Sequence, residues 1–218
     1  MTSVERLTRD RIVQAAIELI ERGGEEGLSM RRVAADLGVA VMSLYNHVPN
    51  KAALLDGVAG HILGGMEVAD DPAAHWSERA RALIRAYRKV AHDYPRCVTL
   101  VLTRKIDAPS GMRPVEHALA IAEEAGFDGE TAVRIMRALL AYAIGAQMRE
   151  TGAAQLLDRL PKEAYGGLDP VLFPHVLAYQ DQLLRHDPET DFEFGLDLLI
   201  SSLDRLPRGG PGSGRSRR

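Results

Sequence analysis

The chain has 218 residues, 46% hydrophobic and 26% charged, with a formal net charge of −3, which excludes a wholly disordered chain and a surface that is basic throughout. Aromatic residues make up only 5% and runs of β-branched residues are scarce, so the composition predicts an all-α protein. One cysteine excludes a disulfide framework, and no apolar stretch is long enough for a secretory signal or a membrane span, so we expect a cytoplasmic protein without membrane contact.

Helical patterns with capping residues divide the first third of the chain. Thr8, Ser29 and Asn50 each precede a run with apolar residues at three- and four-residue spacing, as N-caps do. Gly38 is placed to end the second run in a left-handed turn. The predicted helices cover about 8–23, 29–37, 39–47 and 50–70.

The remaining two thirds also read as helices separated by Pro and Gly. Asp70-Asp71-Pro72 has the composition of a helix start, and that helix is predicted to end at Pro95. Further helices are predicted at about 96–103, 112–125, 129–150, 170–184 and 188–206, with a loop-rich connection at 151–169. The tail, 207–218, is basic and rich in Gly and Ser, which predicts a flexible end.

A helix-turn-helix pattern occupies the second and third predicted helices. Ala34 allows close helix approach, Gly38 turns the chain, and Leu44 anchors the second helix. Local charge is positive here, since the segment 29–51 carries Arg31, Arg32 and Lys51 against one acid, Asp36. The residues predicted to face outward combine apolar, hydroxyl and cationic groups suited to thymine methyls and phosphates. They are Met42, Ser43, Tyr45, Asn46, His47 and Lys51.

With this motif, residues 8–60 resemble the DNA-binding domain of the TetR family of transcriptional repressors. The run GLSMRRVAADLGVAVMSLYNHVPNKAALLDGV carries the resemblance, which is strongest to the tetracycline-repressor-like subgroup. The resemblance covers nearly the whole chain and is weak in the middle. It implies an N-terminal helix-turn-helix domain (1–50), a C-terminal helical-bundle domain for ligand binding and dimerisation (51–206, with a connecting helix 51–70), and a homodimer on a palindromic double-stranded DNA operator.

The resemblance also implies roles for individual residues. Arg31 would reach a base edge, with guanine as the expected base, and Val41 and Met42 would meet methyl groups. The residues implied as phosphate contacts are Ser43, Tyr45, His47 and Lys51, whereas Asn46 could contact either base or backbone. Arg32 is expected to be a solvated side chain instead.

Family members bind a small-molecule effector in the second domain. The positions implied as the pocket wall are Leu83, Tyr87, Val101, Val115, Leu119, Val133, Met136 and Leu140, with His117 and Gln147 as polar candidates. Each is also compatible with plain core packing. The subgroup's magnesium–drug ligands, two histidines and a glutamate, are replaced here by Glu67, Val101 and Arg149. We therefore expect a hydrophobic effector, with no metal and no cofactor.

Dimerisation is expected to use the helix at 129–150 and the last helix. On the last helix the apolar residues are Phe192, Leu196, Leu199, Ile200 and Leu203, a face broad enough for a four-helix contact between two copies. The alternative is that this face covers only its own subunit.

Two other classes of function fit the sequence less well. An enzyme is not expected, because the chain has no nucleophile-elbow, phosphate-loop, zinc-protease or dinucleotide motif and no histidines three or four residues apart. A helical module that binds ligands or partner proteins without DNA would explain the balanced charge of the first 51 residues, but the excess in 29–51 argues against it.

Overall fold

The computed structural model describes residues 6–66, 68, 71–103, 109–150, 167–185 and 187–208. The regular structure within these ranges is helical, which confirms the all-α prediction. The helices are α1 (Arg9–Gly23), α2 (Met30–Asp36), α3 (Val41–Tyr45), α4 (Lys51–Gly64), α5 (Trp76–Asp93), α6 (Pro95–Thr103), α7 (Arg113–Glu124), α8 (Gly129–Met148), α9 (Pro174–Ala178), α10 (Gln180–Leu184) and α11 (Pro188–Leu203). Two short 3₁₀ turns, Glu25–Gly27 and Pro109–Met112, precede α2 and α7.

The predicted caps of the first, second and fourth helices are present. Thr8, Ser29 and Asn50 each accept a hydrogen bond from the backbone N–H three residues on, at 3.3, 3.2 and 2.8 Å. Gly38 has φ of 65°, a left-handed conformation that glycine adopts without the steric penalty of a Cβ. The tight turn between α2 and α3 therefore follows from the sequence.

Three helix boundaries near the N-terminal half differ from the predictions. The third helix is limited to Val41–Tyr45, and α4 ends at Gly64 rather than near Asp70, since two successive glycines weaken helix propagation there. The fifth helix begins at Trp76 with His75 as its cap. Asp71, predicted to start that helix, instead accepts from the N–H of Ala73 at 2.9 Å in a tight turn.

Two boundaries in the C-terminal part also differ. The helix predicted at 170–184 is two short helices, α9 and α10, and the last helix ends at Leu203 rather than Leu206. Most of the loop predicted at 151–169 and most of the tail at 207–218 lie outside the described residues.

Packing joins the elements into a continuous apolar core. Helix α1 packs on α2, α4 and α6, while α5 packs on α6, α7 and α8, and α11 packs on α8. The side chains of Ile12, Val33, Leu44, Leu54 and Phe192 are fully buried. None of the helices in the described part of the chain combines the length and the apolar character needed to cross a bilayer.

Candidate functional site

Helix α3 is held on the N-terminal core by two anchors. Leu44 is 0% exposed and Val48 is 1% exposed, and the N–H of Val48 donates to the carbonyl of Leu44 at 2.8 Å. The turn before α3 is closed by the N–H of Val39, which donates to the carbonyl of Ala34 at 2.9 Å. The opposite side of this short helix faces outward, and Met42 there is 72% exposed.

The eight residues predicted to contact DNA are all at least partly accessible. Five are exposed: Arg31, Met42, Tyr45, Asn46 and His47. Three are half-buried: Val41, Ser43 and Lys51. They lie on the first turn of α2, on α3 and its C-terminal turn, and on the first turn of α4. The fold thus brings the ends of three helices to the surface around α3.

Arg31 and Arg32 are adjacent in the sequence but have different surroundings. The guanidinium of Arg32 donates to the carbonyl of Gly27 at 3.0 Å, so this side chain supports the turn before α2. Asp36, the one acid in the 29–51 segment, forms an ion pair with Arg22 at 2.7 Å. Pairing of Asp36 with α1 reduces the local negative charge near Arg31 and Lys51.

An apolar cavity of about 290 Å³ lies between α4, α5, α6, α7 and α8. Its described lining residues are Leu63, Met66, Trp76, Ala80, Leu83, Ile84, Tyr87, Val101, Leu102, Gly111, Met112, Pro114, Val115, Ala118, Ile121, Ala122, Ile135, Met136, Leu139 and Leu140. Among these described residues there is no charged side chain and no histidine. Three methionines in the wall provide adaptable contacts.

Six of the ten predicted effector residues line this cavity. They are Leu83, Tyr87, Val101, Val115, Met136 and Leu140. The other four do not line it: His117, Leu119 and Val133 are half-buried elsewhere on α7 and α8, and Gln147 is buried behind Tyr87.

The sequence analysis missed several wall residues, notably Trp76, Ala80 and Ile84 on α5. They belong to the same apolar stripe as Leu83 and Tyr87, so the helical period was the signal that could have found them.

Two polar side chains in the wall are hydrogen-bonded to groups outside it. The hydroxyl of Tyr87 donates to Oε1 of Gln147 at 3.3 Å, and burial raises the pKa of Tyr87 to about 12. The indole N–H of Trp76 donates to Oδ1 of Asp204 at 3.1 Å, and this bond holds the pKa of Asp204 below its ordinary value.

Two features link the cavity wall to the N-terminal helices. Helix α4 has Lys51 at its first residue and Leu63 in the wall near its end, about 18 Å away at 1.5 Å per residue. Glu21 of α1 accepts from the backbone N–H groups of Cys97 at 2.8 Å and Arg96 at 3.3 Å, at the start of α6. Sequence reasoning did not identify Glu21.

The broad apolar face predicted for dimerisation is largely internal, which corrects that prediction. Phe192 and Leu196 are 0% exposed and Ile200 is 1% exposed, because α8 covers them in the same chain, and Leu199 and Leu203 are half-buried. The exposed apolar residues of α11 are instead Phe194, at 67%, and Leu198, at 55%.

The outer side of α8 carries small residues, Ala138, Ala141 and Gly145, which are exposed. Close contact between α8 and α11 depends on Gly195, where a Cβ would collide with the ring of Tyr142. The two helices therefore present adjacent outer faces made of small and large apolar side chains.

A row of ion pairs ties α11 to α5. Arg81 pairs with Asp197 at 2.6 Å, Arg85 donates to Glu193 at 2.7 Å, and Arg88 pairs with Glu189. The paired residues follow one another at three- or four-residue steps on each helix, so the row runs along the side of α11 that faces α5. Within the described residues no group of three or more His, Cys, Asp or Glu side chains is arranged to hold a metal ion.

Comparison with known proteins gives consistent matches over both halves. Residues 12–58 match the family model described as bacterial regulatory proteins, tetR family, and residues 69–206 match the tetracyclin repressor-like C-terminal domain. The HTH-type transcriptional repressor DrrR1 of Streptomyces coeruleorubidus is 35% identical, with 92% of this chain and 78% of that protein covered. The class D tetracycline repressor protein of Escherichia coli is 29% identical, with 91% and 90% covered.

Solved structures agree with these matches. Apo ActR from Streptomyces coelicolor superimposes with a TM-score of 0.77 at 27% identity, over 93% of this chain and 97% of that one. ActR has also been solved in complex with (S)-DNPA and with actinorhodin. Both family descriptions concern regulators or repressors rather than enzymes.

Proposed function

As the chain belongs to the TetR family of bacterial regulatory proteins and is a ligand-responsive DNA-binding transcriptional repressor, we propose that it binds a palindromic operator as a homodimer and that a small hydrophobic effector releases it. Such binding requires the protein to act in the cytoplasm, where its operator is. In this proposal residues 1–50 form the DNA-binding domain and residues 51–206 form the domain for ligand binding and dimerisation.

The proposed DNA contacts follow from exposure and chemistry. Helix α3 would enter the major groove, with Val41 and Met42 against thymine methyls, while Arg31 from α2 would donate to guanine. Phosphate contacts would come from the polar groups around α3, which are Ser43, Tyr45, His47 and Lys51. Asn46 at the end of α3 is free in this proposal to meet either a base or the backbone.

The ammonium of Lys51 has a second source of attraction for phosphate. Lys51 is the first residue of α4, whose N-terminal turn has a positive partial charge from aligned peptide dipoles. A phosphate there would be bound by the helix end and by the side chain together. This favours Lys51 as a contact that positions the protein without reading sequence.

The effector site we propose is the apolar cavity. A volume of about 290 Å³ with no charged side chain among its described lining residues suits an uncharged, largely apolar molecule. The two ligand-bound structures of ActR support a small organic ligand in a related fold. His117, Leu119 and Val133 are not included in this proposed site.

The observation that carries the proposal is that α4 serves both sites. Lys51 lies at one end of α4 and Leu63 lines the cavity at the other, so a movement of the wall would reach the DNA-facing end of α4 in this proposal. A ligand that fits the cavity better in one arrangement of α4 than in another shifts the operator-bound population by that difference in affinity.

The homodimer we propose forms through the outer sides of α8 and α11. Phe194 and Leu198 project beside the small residues Ala138, Ala141 and Gly145, which allows close helix contact. Two copies related by a two-fold axis would bury these faces in a four-helix contact. The two α3 helices would then address half-sites about one helical turn apart, roughly 34–36 Å.

Selection of bound fragments from a random double-stranded DNA pool tests the proposal. We expect an enriched palindrome, retained less as salt concentration rises because phosphate contacts release counterions. Enrichment of an asymmetric site, or no enrichment at low ionic strength, would contradict binding as a dimer. Release of the selected fragment by an apolar compound library then tests the effector part separately.

A further inference from the structure

We propose that the effector of this protein must donate a hydrogen bond to the hydroxyl oxygen of Tyr87. This inference rests on the proposed effector cavity and specifies which molecules it selects. It predicts an uncharged, mostly apolar compound that carries a phenol, an alcohol or an N–H group.

The junction of α5 and α6 leaves one backbone carbonyl without its helical donor. In a continuous helix the carbonyl of Ala91 would accept from the N–H of residue 95, but residue 95 is a proline and has no N–H. The carbonyl of Ala91 accepts instead from Nε2 of Gln147, at 3.3 Å. Pro95 therefore creates an acceptor that the amide of Gln147 satisfies.

This contact determines the orientation of the Gln147 amide. A backbone carbonyl can only accept, so the NH₂ group of Gln147 must face Ala91 and its carbonyl oxygen must face the other way. That oxygen lies 3.3 Å from the hydroxyl of Tyr87. Since an amide oxygen cannot donate, Tyr87 is the donor of this bond.

The hydroxyl of Tyr87 then has only lone pairs left for a ligand. Tyr87 lines the cavity, is 6% exposed, and uses its one proton on Gln147. The other polar group in the described wall, the indole N–H of Trp76, is directed to Asp204. Side chains of the described wall thus offer acceptors, including weak thioether acceptors, and no uncommitted donor.

A ligand carbonyl or ether oxygen placed beside Tyr87 would lose its water without gaining a partner, which is costly. A ligand hydroxyl there would keep a hydrogen bond. A carboxylate beside Tyr87 would be opposed more strongly, because its negative charge would face the lone pairs of the Tyr87 oxygen. The polarity of the Tyr87–Gln147 pair therefore discriminates between molecules of equal size.

Three matched naphthalenes test this polarity by isothermal titration calorimetry on the full-length protein. They are 2-naphthol, which donates and accepts, 2-methoxynaphthalene, which only accepts, and 2-naphthoate, which is anionic. We expect 2-naphthol to bind about five- to tenfold more tightly than 2-methoxynaphthalene, the value of one hydrogen bond, and 2-naphthoate to bind least.

Two variants assign the preference to this pair. Tyr87→Phe should remove the difference between 2-naphthol and 2-methoxynaphthalene. Gln147→Met should reduce this difference in affinity, because the hydroxyl proton of Tyr87 can then turn toward the ligand and strengthen the binding of 2-methoxynaphthalene. Tyr142→Phe is the matched control: its hydroxyl donates to the carbonyl of Phe192 outside the cavity, so the preference should stay.

The outcomes separate this inference from the proposed function. Equal binding of the two neutral compounds, or a preference that survives Tyr87→Phe, overturns the donor requirement while leaving the cavity as an effector site. Absence of binding by all three compounds overturns both. Tighter binding of 2-methoxynaphthalene than of 2-naphthol would also overturn the donor requirement, since 2-methoxynaphthalene cannot donate a hydrogen bond.

Discussion

Single residues at the DNA-facing surface differ in what they can contribute to binding. Lys51 offers a flexible ammonium and Tyr45, 42% exposed, offers a hydroxyl, and neither group distinguishes one base from another when it meets a phosphate. Arg31 offers a planar fork that matches the two acceptors of guanine. Affinity and sequence preference are therefore expected to respond to different substitutions.

Lys51→Ala and Tyr45→Ala should weaken binding to all DNA sequences alike, and Lys51→Ala should also reduce the slope of log affinity against log salt by about one. Arg31→Ala should cost about 1–3 kcal/mol on the best site and relax preference at one base pair. Competition binding with single-base operator variants measures both effects. Arg32→Ala is a suitable control, because the guanidinium of Arg32 donates to the carbonyl of Gly27. An Arg31→Ala variant with unchanged base preference would show that the role assigned to Arg31 is wrong.

Tyr87 should make stability depend on alkaline pH. Burial raises the pKa of Tyr87 to about 12, so between pH 10 and 12 the unfolded chain loses this proton while the folded chain keeps it. The contribution of Tyr87 to the free energy of unfolding is fully present below pH 10 and declines as the pH rises toward 12. At pH 11 the loss is on the order of 1 kcal/mol. Urea unfolding should show a smaller decline in Tyr87→Phe than in the unmodified chain, because burial also raises the pKa of the Cys97 thiol and that contribution is the same in both chains. The exposed Tyr45→Phe should behave like the unmodified chain.

Residue chemistry at the two sites was only partly predictable. The family resemblance pointed to Leu83, Tyr87 and Met136 as pocket positions, and these three residues line the cavity. His117 and Leu119 were misplaced relative to the cavity, because which side of α7 meets empty space depends on α5 and α8. The hydrogen bonds of Gln147 and Glu21 join elements distant in sequence, and no local pattern signals them.

Elements were predicted best where a cap side chain acts locally. Thr8, Ser29 and Asn50 start helices through bonds within four residues, so sequence alone locates them. The start of α5 was wrong because Asp71 forms a turn of its own, and α4 was drawn too long because apolar spacing continues beyond Gly64. A local polar turn at Asp71 decided the first boundary, and the two successive glycines decided the second.

Glu21 caps the beginning of α6 from a different helix, so its loss should be felt at the junction of two elements. Glu21→Ala should lower the free energy of unfolding by about 1 kcal/mol, since two backbone N–H groups lose their acceptor at a helix start. Urea denaturation measures this. The stability of Glu21→Gln should lie between those of the unmodified chain and Glu21→Ala, because glutamine keeps an oxygen acceptor without the charge. Unchanged stability of Glu21→Ala would contradict the capping role.

At the scale of the whole molecule, the outer sides of α8 and α11 form a face that packing within one chain leaves apolar. Helix α11 is apolar on several sides, and the sequence does not say which side α8 covers, which is why Phe192, Leu196 and Ile200 were assigned to the wrong surface. In the structure the exposed pair is Phe194 and Leu198. The dimer proposed above depends on this pair.

Phe194→Asp combined with Leu198→Asp should therefore convert the dimer to monomers, because two charges would be buried without partners. Sedimentation equilibrium measures the change, and operator affinity should fall with it. Asp197→Asn on the same helix faces α5, where Asp197 pairs with Arg81, and should leave the dimer intact. A double variant that still sediments as a dimer would place the interface elsewhere.

Trp76 has a practical consequence for finding the effector. It is the one tryptophan in the sequence, it lines the cavity, and its ring is fixed by Asp204 and by an edge-to-face contact with Phe127 at 5.3 Å. Ultraviolet emission excited at the red edge thus originates from a single chromophore bordering the ligand space. Candidate compounds can be screened by spectral shift on unlabelled protein, independently of any nucleic acid.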